Sequence, residues 1–501
     1  MDQALKVLKN NQVALYIIAY EAEKHIDQVL KRIPKDIVNR FAQIYLIDDS
    51  SKDKTVEAAI ASAKALGLKN FKAMKTPFNQ GYGGNQKIGY RYAIKQGFDY
   101  VIMLHGDGQY PPEFLPQMIA CFADPQVAAV FGSRMINRYD ALKGGMPLYK
   151  WAGNQLLTLI ENKIMQSNLS EFHSGYRAYS TKALKLIPFL MNSDVFHFDT
   201  DIIIQLLANN FKIKEIPMPT HYGNEICRVN GLKYAKDCLI SNLQFRLHKM
   251  GLWYQPNFDI QLPKERVYSF KKNKNTLHYH ILNNLSWKKS DQVVDLGAND
   301  GILDSKLAVK VKLITAVDIK KPKVMKNVKS LKVDLNTEFD QILGEKSFNK
   351  VIALDIIEHL NNPESAIKKI NNILKTGGTL YASTANIGYF IMRITHLIGW
   401  FNYGKRGILD MTHQRLFTVN SFKKLLQDNG FIIKKTVGFG PPVADQISHR
   451  GIWKLIDVIS GLLAKQYPSL FSFNFLIIAE KKPAFKDIYQ QTLLSQKISL
   501  V

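Results

Sequence analysis

Cysteine is scarce: Cys121, Cys227 and Cys238 are the only three in 501 residues, and no C-x-x-C pair occurs. This excludes a disulfide framework and a cysteine-based zinc site, and it fits a reducing, cytoplasmic setting. Acidic residues are also short, 42 Asp and Glu against 67 Lys and Arg, which leaves a formal charge of +25. A surface this basic attracts nucleic acid, anionic lipid headgroups or phosphorylated substrates, and charge alone does not choose among them; the other reading is lysines spread evenly over solvated faces. No apolar run reaches the roughly 18 residues of a spanning helix. The nearest, IGYFIMRITHLIGWF, is broken by Arg393 and His396. The chain therefore spans no membrane on this reading, although it can rest on one. A signal-peptide pattern is missing as well, since Lys6, Lys9, Asn10 and Asn11 precede the first apolar run.

Strands alternate with helices from the start, and the length predicts two or three domains. VALYIIAY, QIYLIDD, YVIMLHGD and AAVFGSRM read as strands, and DKTVEAAIASAKALG as a helix. This is the rhythm of an α/β protein with a mostly parallel sheet. It runs to IKEIPMPTHY and a long helix, LKYAKDCLISNLQFRLHKMG, read as amphipathic. The alternation restarts with VVDLGANDG, ITAVDI, KVIALDII and GGTLYAST, and ends on FIIKKTVGFG and FNFLIIAEKK. The expected division is a first domain at 1–250, a basic linker at 251–276, a second domain at 277–485 and a tail at 486–501. No repeat relates the halves, so they are two different α/β domains.

Ligands of an open parallel sheet bind beyond the carboxyl ends of its strands, and the first half gathers polar residues there. Tyr20 and Glu21 follow the first strand; Asp48, Asp49 and Asp53 follow the second; His105, Asp107 and Gln109 follow YVIML; and Arg134 follows VFGS. Acids at such ends hold a base, a ribose or a divalent cation, or else cap a helix. An arginine there pairs with phosphate as a planar fork.

On IAYEAEKHI, LIDDSSKDKT, LHGDGQYPPE, GSR, FHSGYRAYS and FHFDTDI, spread over residues 13–204, this half resembles a family 2 glycosyltransferase of the GT-A fold. The branch it resembles includes the dolichyl- and polyprenyl-phosphate sugar synthases. The resemblance implies a nucleotide-sugar donor bound by Tyr20, Glu21, Asp48, Asp49 and Arg134, and an acceptor phosphate met by Ser174, Arg177 and Arg228. The family's D-x-D element, often extended to D-x-D-x-Q, has His105 in place of its first acid and keeps Asp107 and Gln109. One carboxylate and one amide suffice for Mg²⁺ shared with substrate phosphates. With Mn²⁺, His105 is a third ligand; otherwise it caps the strand end. A lipid-phosphate acceptor needs little base, whereas a hydroxyl needs one, and Asp199 or Asp201 would supply it. Glu225 and Arg228 lie on a loop expected to close over the donor. The family's opening Pro and Asn are Ile18 and Glu21 here, so the sequence does not separate UDP from GDP donors.

In VVDLGANDG a strand enters a tight turn, with Asp295 at its end and Gly297 and Gly301 flanking the turn. The incomplete glycine spacing weakens a pyrophosphate reading and suits a cofactor without one. Asp318 ends the next strand, where an acid accepts ribose hydroxyls, and Asp334 is placed to reach an adenine amino group. With KVIALDIIEHL, ILKTGGTLYAST and THQRLFTVNSFKKLLQDNGF, this half resembles a class I S-adenosylmethionine-dependent methyltransferase over most of residues 290–432. A hydroxyl acceptor would need a base, for which Glu358, His359 and His413 are candidates and His359 the favoured one.

The expected protein is a bifunctional, metal-dependent transferase for glycolipid or polysaccharide synthesis. It would touch an anionic membrane at its periphery and bind no nucleic acid. Two rivals remain at this point. One is an RNA methyltransferase, which lacks support because no RNA-binding module is present and the lysines are not interleaved with aromatics. The other is a single active domain tethered by its partner.

Overall fold

Val13–Ala19 (β1) is apolar at every position except Tyr16, and buried at every position, as expected of a central parallel strand covered on both faces. It pairs in parallel with Gln43–Asp48 (β2) on one side and Tyr100–His105 (β4) on the other. Phe71–Lys75 (β3), Val127–Ser133 (β5), Arg177–Ser180 (β6) and Lys212–Pro217 (β7) complete a seven-stranded sheet of order β3-β2-β1-β4-β6-β5-β7. β6 runs antiparallel between β4 and β5. Its segment, RAYS, is not among the strands expected from sequence, because a short strand with an arginine at its head carries no apolar run.

This computed structural model describes residues 1–219, 229–260, 275–322, 326–441, 443 and 451–483. A second seven-stranded sheet contains Gln292–Leu296 (β8), Leu313–Asp318 (β9), Val328–Lys332 (β10), Phe348–Leu354 (β11), Leu374–Ala385 (β12), Phe431–Phe439 (β13) and Asn474–Lys481 (β14). Its order is β10-β9-β8-β11-β12-β14-β13, parallel up to β12 and antiparallel over the last two pairings. The first sheet has a GT-A-like arrangement and the second a Rossmann-like methyltransferase arrangement. Both late strands expected from sequence are present.

Close helix packing in the first unit depends on glycine. A Cβ on Gly89 would lie 2.3 Å from the Tyr16 ring, so only glycine lets the helix Gly81–Gln96 settle on β1. The ring hydroxyls then bond to that helix: Tyr16 donates to Asn85 Oδ1 at 2.7 Å and Tyr45 to the Gly89 carbonyl at 2.8 Å.

The two compact units do not divide at one point in the sequence. One contains Met1–Arg246 and 255–260; the other contains 247–254 and the described residues from 275 onward. The division after Arg246 falls inside the helix Gly231–Lys249. Residues 251–260, expected to begin a linker, are packed: Leu252 joins an apolar cluster of the second unit and Phe258 one of the first. The remaining expected linker residues from 261 to 274 lie outside the described residues, as does the expected tail. The helix also departs from the amphipathic reading. It buries Cys238, Asn242, Phe245 and Arg246, whereas Leu232 is 88% exposed and Leu243 57% exposed. Its polar residues face inward because buried partners receive them: Asn242 Nδ2 donates to Glu161 Oε1 at 3.1 Å.

Candidate active sites

Three strand ends of the first sheet are tied together. Gly106 N–H donates to the Ile18 carbonyl at 2.8 Å, and Asp49 N–H to the Ala19 carbonyl at 2.9 Å, so the turns after β4 and β2 hang on the end of β1. Gly108, at φ +78°, turns the chain back so that the Gln109 amide donates to Asp107 Oδ1 at 3.1 Å. The other carboxylate oxygen of Asp107 has no protein partner among the described residues.

His105 lies between aromatic rings, with centroids 4.7 Å from Tyr110 and 5.7 Å from Tyr82. Its Nε2 is 3.4 Å from the Tyr82 hydroxyl. Burial pushes the imidazole below its ordinary pKa, against the pull of Asp107 and Asp199. Tyr82 donates to Asp199 Oδ2 at 3.2 Å and Gln86 Nε2 to Asp199 Oδ1 at 3.1 Å. Of the two base candidates, Asp199 therefore joins the His105 group. Asp201 instead accepts the Ser193 amide at 3.0 Å, and burial raises its pKa. Tyr82 and Gln86 were not anticipated, although GYGGNQ offered a cue. A Cβ on Gly83 would meet the Ser193 carbonyl oxygen at 2.4 Å, a close approach that brings this helix to the site.

Arg177 is not on the surface. It is 1% exposed, its Nε donates to the Ser174 carbonyl at 2.7 Å and its Nη2 to the Phe172 carbonyl at 2.6 Å. Its Nε lies 3.8 Å from Asp199 Oδ1. A free phosphate fork does not describe it, because the guanidinium points under the loop rather than out of it. Ser174 is buried above it. Arg134 is likewise engaged: its Nε donates to Glu171 Oε1 at 2.9 Å and its Nη2 to the His173 carbonyl at 3.0 Å. Burial pushes the Glu171 carboxyl up, but Arg134 outweighs it and holds the pKa below the usual range. The fully buried Asp48 accepts the Ser51 amide at 3.0 Å, while Asp49 accepts the Gln80 amide at 2.8 Å and the Thr76 hydroxyl at 3.1 Å. Tyr20 is 36% exposed, and Glu21, at φ +51°, donates its amide to Ser51 Oγ at 2.7 Å. Arg228 and Glu225 lie outside the described residues.

The second unit has a cavity of about 560 Å³, lined among others by Asp295, Gly297, Ala298, Asn299, Glu358, His359 and His413. A volume of this order suits a nucleoside cofactor with part of a substrate. A Cβ on Gly297, at φ +83°, would meet Ile356 at 2.9 Å, so glycine keeps the turn closed against the cavity wall. Gly301, at φ +76°, starts the helix Ile302–Leu307. Asp318 and Asp334 are not cavity walls. Asp318 accepts the amide of the wall residue Asn299, in the turn after β8, at 3.0 Å and that of Lys320 in its own turn at 3.0 Å, and Asp334 accepts the Asn336 amide of its own turn at 2.9 Å. The three base candidates do meet on one wall, with the His359 and His413 ring centroids 4.8 Å apart.

Residues 15–187 match the family described as "Glycosyl transferase family 2", and residues 270–435 match "Methyltransferase domain". The chain joins a family 2 glycosyltransferase domain to a methyltransferase domain. The first is 27% identical over 220 residues to a UDP-N-acetylglucosamine–dolichyl-phosphate N-acetylglucosaminyltransferase of Methanococcus voltae, covering 42% of this chain and 86% of that protein. An undecaprenyl-phosphate mannosyltransferase of Micrococcus luteus is 25% identical over 182 residues, 35% of this chain and 71% of the relative. The methyltransferase domain is 30% identical over 111 residues to a ubiquinone biosynthesis O-methyltransferase of Pseudomonas syringae, 21% of this chain and 47% of that enzyme. The chain thus spans under half the length of this last relative.

Sequence reasoning also missed Asp304 in the methyltransferase domain, which is fully buried beside Asp295. Burial, reinforced by the other's charge, raises Asp304 to about 10, and burial raises Asp295 to about 7. Both folded-state pKa values exceed the unfolded value near 4, so the folded domain retains protons that the unfolded chain releases. Its stability falls as pH rises from about 4 through the folded values. Asp304→Asn should flatten that fall and raise the melting temperature at alkaline pH, as followed by calorimetric melts of the full chain across pH. An unchanged pH slope would contradict the buried pair.

Proposed function

We propose that the glycosyltransferase domain moves a sugar from a nucleotide-diphosphate donor to the phosphate of a polyprenyl carrier. The observation that carries this reading is Asp107, on a Gly-Asp-Gly turn tied to β1, with one carboxylate oxygen uncommitted among the described residues, beside the His105–Tyr82–Asp199 group. The names of the archaeal and bacterial relatives, which refer to transfer onto dolichyl and undecaprenyl phosphate, support the acceptor class. Asp107 and Gln109 would hold Mg²⁺ or Mn²⁺, which supplies neutralisation of the departing diphosphate. With Mn²⁺, His105 is a candidate third ligand, since burial lowers its pKa and so disfavours the charged ring.

Tyr20 and Glu21 flank the nucleotide, while Asp48 and Asp49 brace the loops around it. Arg134, paired with Glu171, shapes the donor side. Arg177 acts through Ser174 and Asp199 as a positioning residue. A phosphate acceptor is already nucleophilic, and a hydroxyl acceptor would give its proton to Asp199.

The methyltransferase domain would hold S-adenosylmethionine on the Asp295, Gly297 and Gly301 side of its cavity, and Asp318 would act on it through the wall residue Asn299, whose amide it accepts. The cofactor supplies an electrophilic methyl group. The acceptor is a hydroxyl of the sugar or a related glycan, presented to the wall that carries His359.

Among the described residues no helix is long and apolar enough to cross a membrane. Ile394 at 53%, Leu397 at 87%, Ile398 at 68% and Phe401 at 52% exposure nevertheless form an apolar stretch followed by Lys405 and Arg406. Together with the charge of +25, this stretch supports peripheral contact with an anionic membrane on its cytoplasmic side.

Three outcomes are expected of the full-length protein. Asp107→Asn should lose sugar transfer to polyprenyl phosphate by about a hundredfold or more while S-adenosylmethionine binding persists; unchanged turnover would reject the metal site. Co-sedimentation with anionic vesicles should weaken as salt rises, and Leu397→Asp should reduce it. Equal binding to neutral vesicles, or preference for RNA, would favour another partner. Asp318→Ala should weaken S-adenosylmethionine binding about tenfold, equivalent to about 1.4 kcal/mol. Calorimetry reads this, and binding of a nicotinamide dinucleotide in its place would overturn the cofactor assignment.

A further inference from the structure

One wall of the methyltransferase cavity gathers three electron-pair donors. Glu358, His359 and His413 each place one ligand atom within 4.8 Å of those of the other two. Glu358 is 1% exposed, and its Oε2 is buried without a hydrogen-bond partner among the described residues. A buried carboxylate oxygen left bare is costly unless something positive or a proton meets it.

The histidines are prepared in the same way. His359 Nδ1 lies 3.1 Å from the Thr412 carbonyl oxygen, and His413 Nδ1 lies 3.0 Å from the Ile408 carbonyl oxygen. A carbonyl oxygen only accepts, so Nδ1 carries the proton in both rings and Nε2 keeps its lone pair. An imidazole whose second nitrogen is fixed on a backbone carbonyl is the arrangement that orients metal-binding histidines.

We infer that Glu358, His359 and His413 bind a divalent first-row transition metal inside the methyltransferase cavity, with open positions toward the acceptor. Two imidazoles and one carboxylate suit zinc, iron or manganese better than magnesium or calcium. Three protein ligands also leave room for a substrate oxygen. With metal–ligand bonds near 2.1 Å, neighbouring ligands of a tetrahedral site stand about 3.4 Å apart, so the trio must draw together by up to about 1.4 Å when a cation binds.

The inference rests on the methyl-transfer reading for its chemistry and narrows the acceptor to a hydroxyl with an oxygen beside it, such as a vicinal diol of a sugar. The acceptor oxygen forms a bond to the methyl carbon as the carbon–sulfur bond breaks. The bonding pair of the broken bond stays on sulfur, and the hydroxyl proton leaves to water. The cation makes that proton easier to lose. In this arrangement His359 serves as a ligand and not as the proton acceptor.

Co²⁺ binding to the full chain tests the site, in an Asp107→Asn background so that the glycosyltransferase turn does not contribute. One equivalent should bind, and proton magnetic resonance should show two hyperfine-shifted, exchangeable imidazole N–H signals, one from each Nδ1. Separately, His413→Gln and Glu358→Gln should weaken Co²⁺ binding about a hundredfold while leaving S-adenosylmethionine affinity within about threefold. Absence of the bound equivalent, or fewer than two shifted signals, overturns the metal site whatever the variants do. Metal binding without S-adenosylmethionine binding would instead overturn the methyl-transfer reading and leave the site standing.

Discussion

A positive charge inside a sheet has to be matched where it stands, and Arg177 supplies that constraint for the glycosyltransferase domain. It heads β6 with its guanidinium under the loop Phe172–Ser174, bonded to two carbonyls of that loop and close to Asp199. Moving the loop or the carboxylate would leave an uncompensated buried charge, which is worth several kcal/mol. Asp199 in turn anchors Tyr82 and Gln86, and Tyr82 reaches His105. A chain of dependence thus runs from the interior of the sheet to the turn that carries Asp107. Gly175 completes it, since a Cβ there would lie 2.7 Å from the Tyr82 hydroxyl and 2.8 Å from His105 Nε2.

The methyltransferase domain organises its polar interior differently. Asp291 is matched by Lys350 at 2.9 Å, but two other buried carboxyls have carboxyl neighbours: Asp295 by Asp304, and Glu358 near Asp355. Burial, with the Asp355 charge added, raises Glu358 to about 8. These groups avoid mutual repulsion by retaining protons or by awaiting a positively charged partner, and a sulfonium cofactor brings a positive charge into such a cavity.

Both sheets were legible because long apolar runs ending in glycine and acid are hard to read any other way. β1, β4, β8 and β11 follow directly from VALYIIA, YVIMLH, QVVDL and KVIAL. The site was legible where function and turn chemistry coincide, as at Asp107 and Gly297. It was less so where a residue serves another residue. Arg134, Arg177, Asp48 and Asp49 read as ligand-facing because their types suit phosphate or ribose, but each is committed to a protein partner that lies far off in sequence, or to its own turn. Glu171 is 37 residues from Arg134, and Asp199 is 117 residues from Tyr82. Spacing along the chain carries no information about such pairs. The long helix failed for a related reason, since its buried side is polar and no hydrophobic period marks it.

The units interleave in sequence around Arg246, Tyr254 and Gln255, and this bears on how the two activities can be separated. A cut before residue 247 strips Phe258 from the first apolar cluster, and a cut after 260 strips Leu252 from the second. No single scission leaves both cores complete. A gene split at one codon would therefore yield at least one enzyme with a bare patch and a weakened fold. Once fused in this way, the two transferases inherit a covalent interdependence that selection cannot undo in one step.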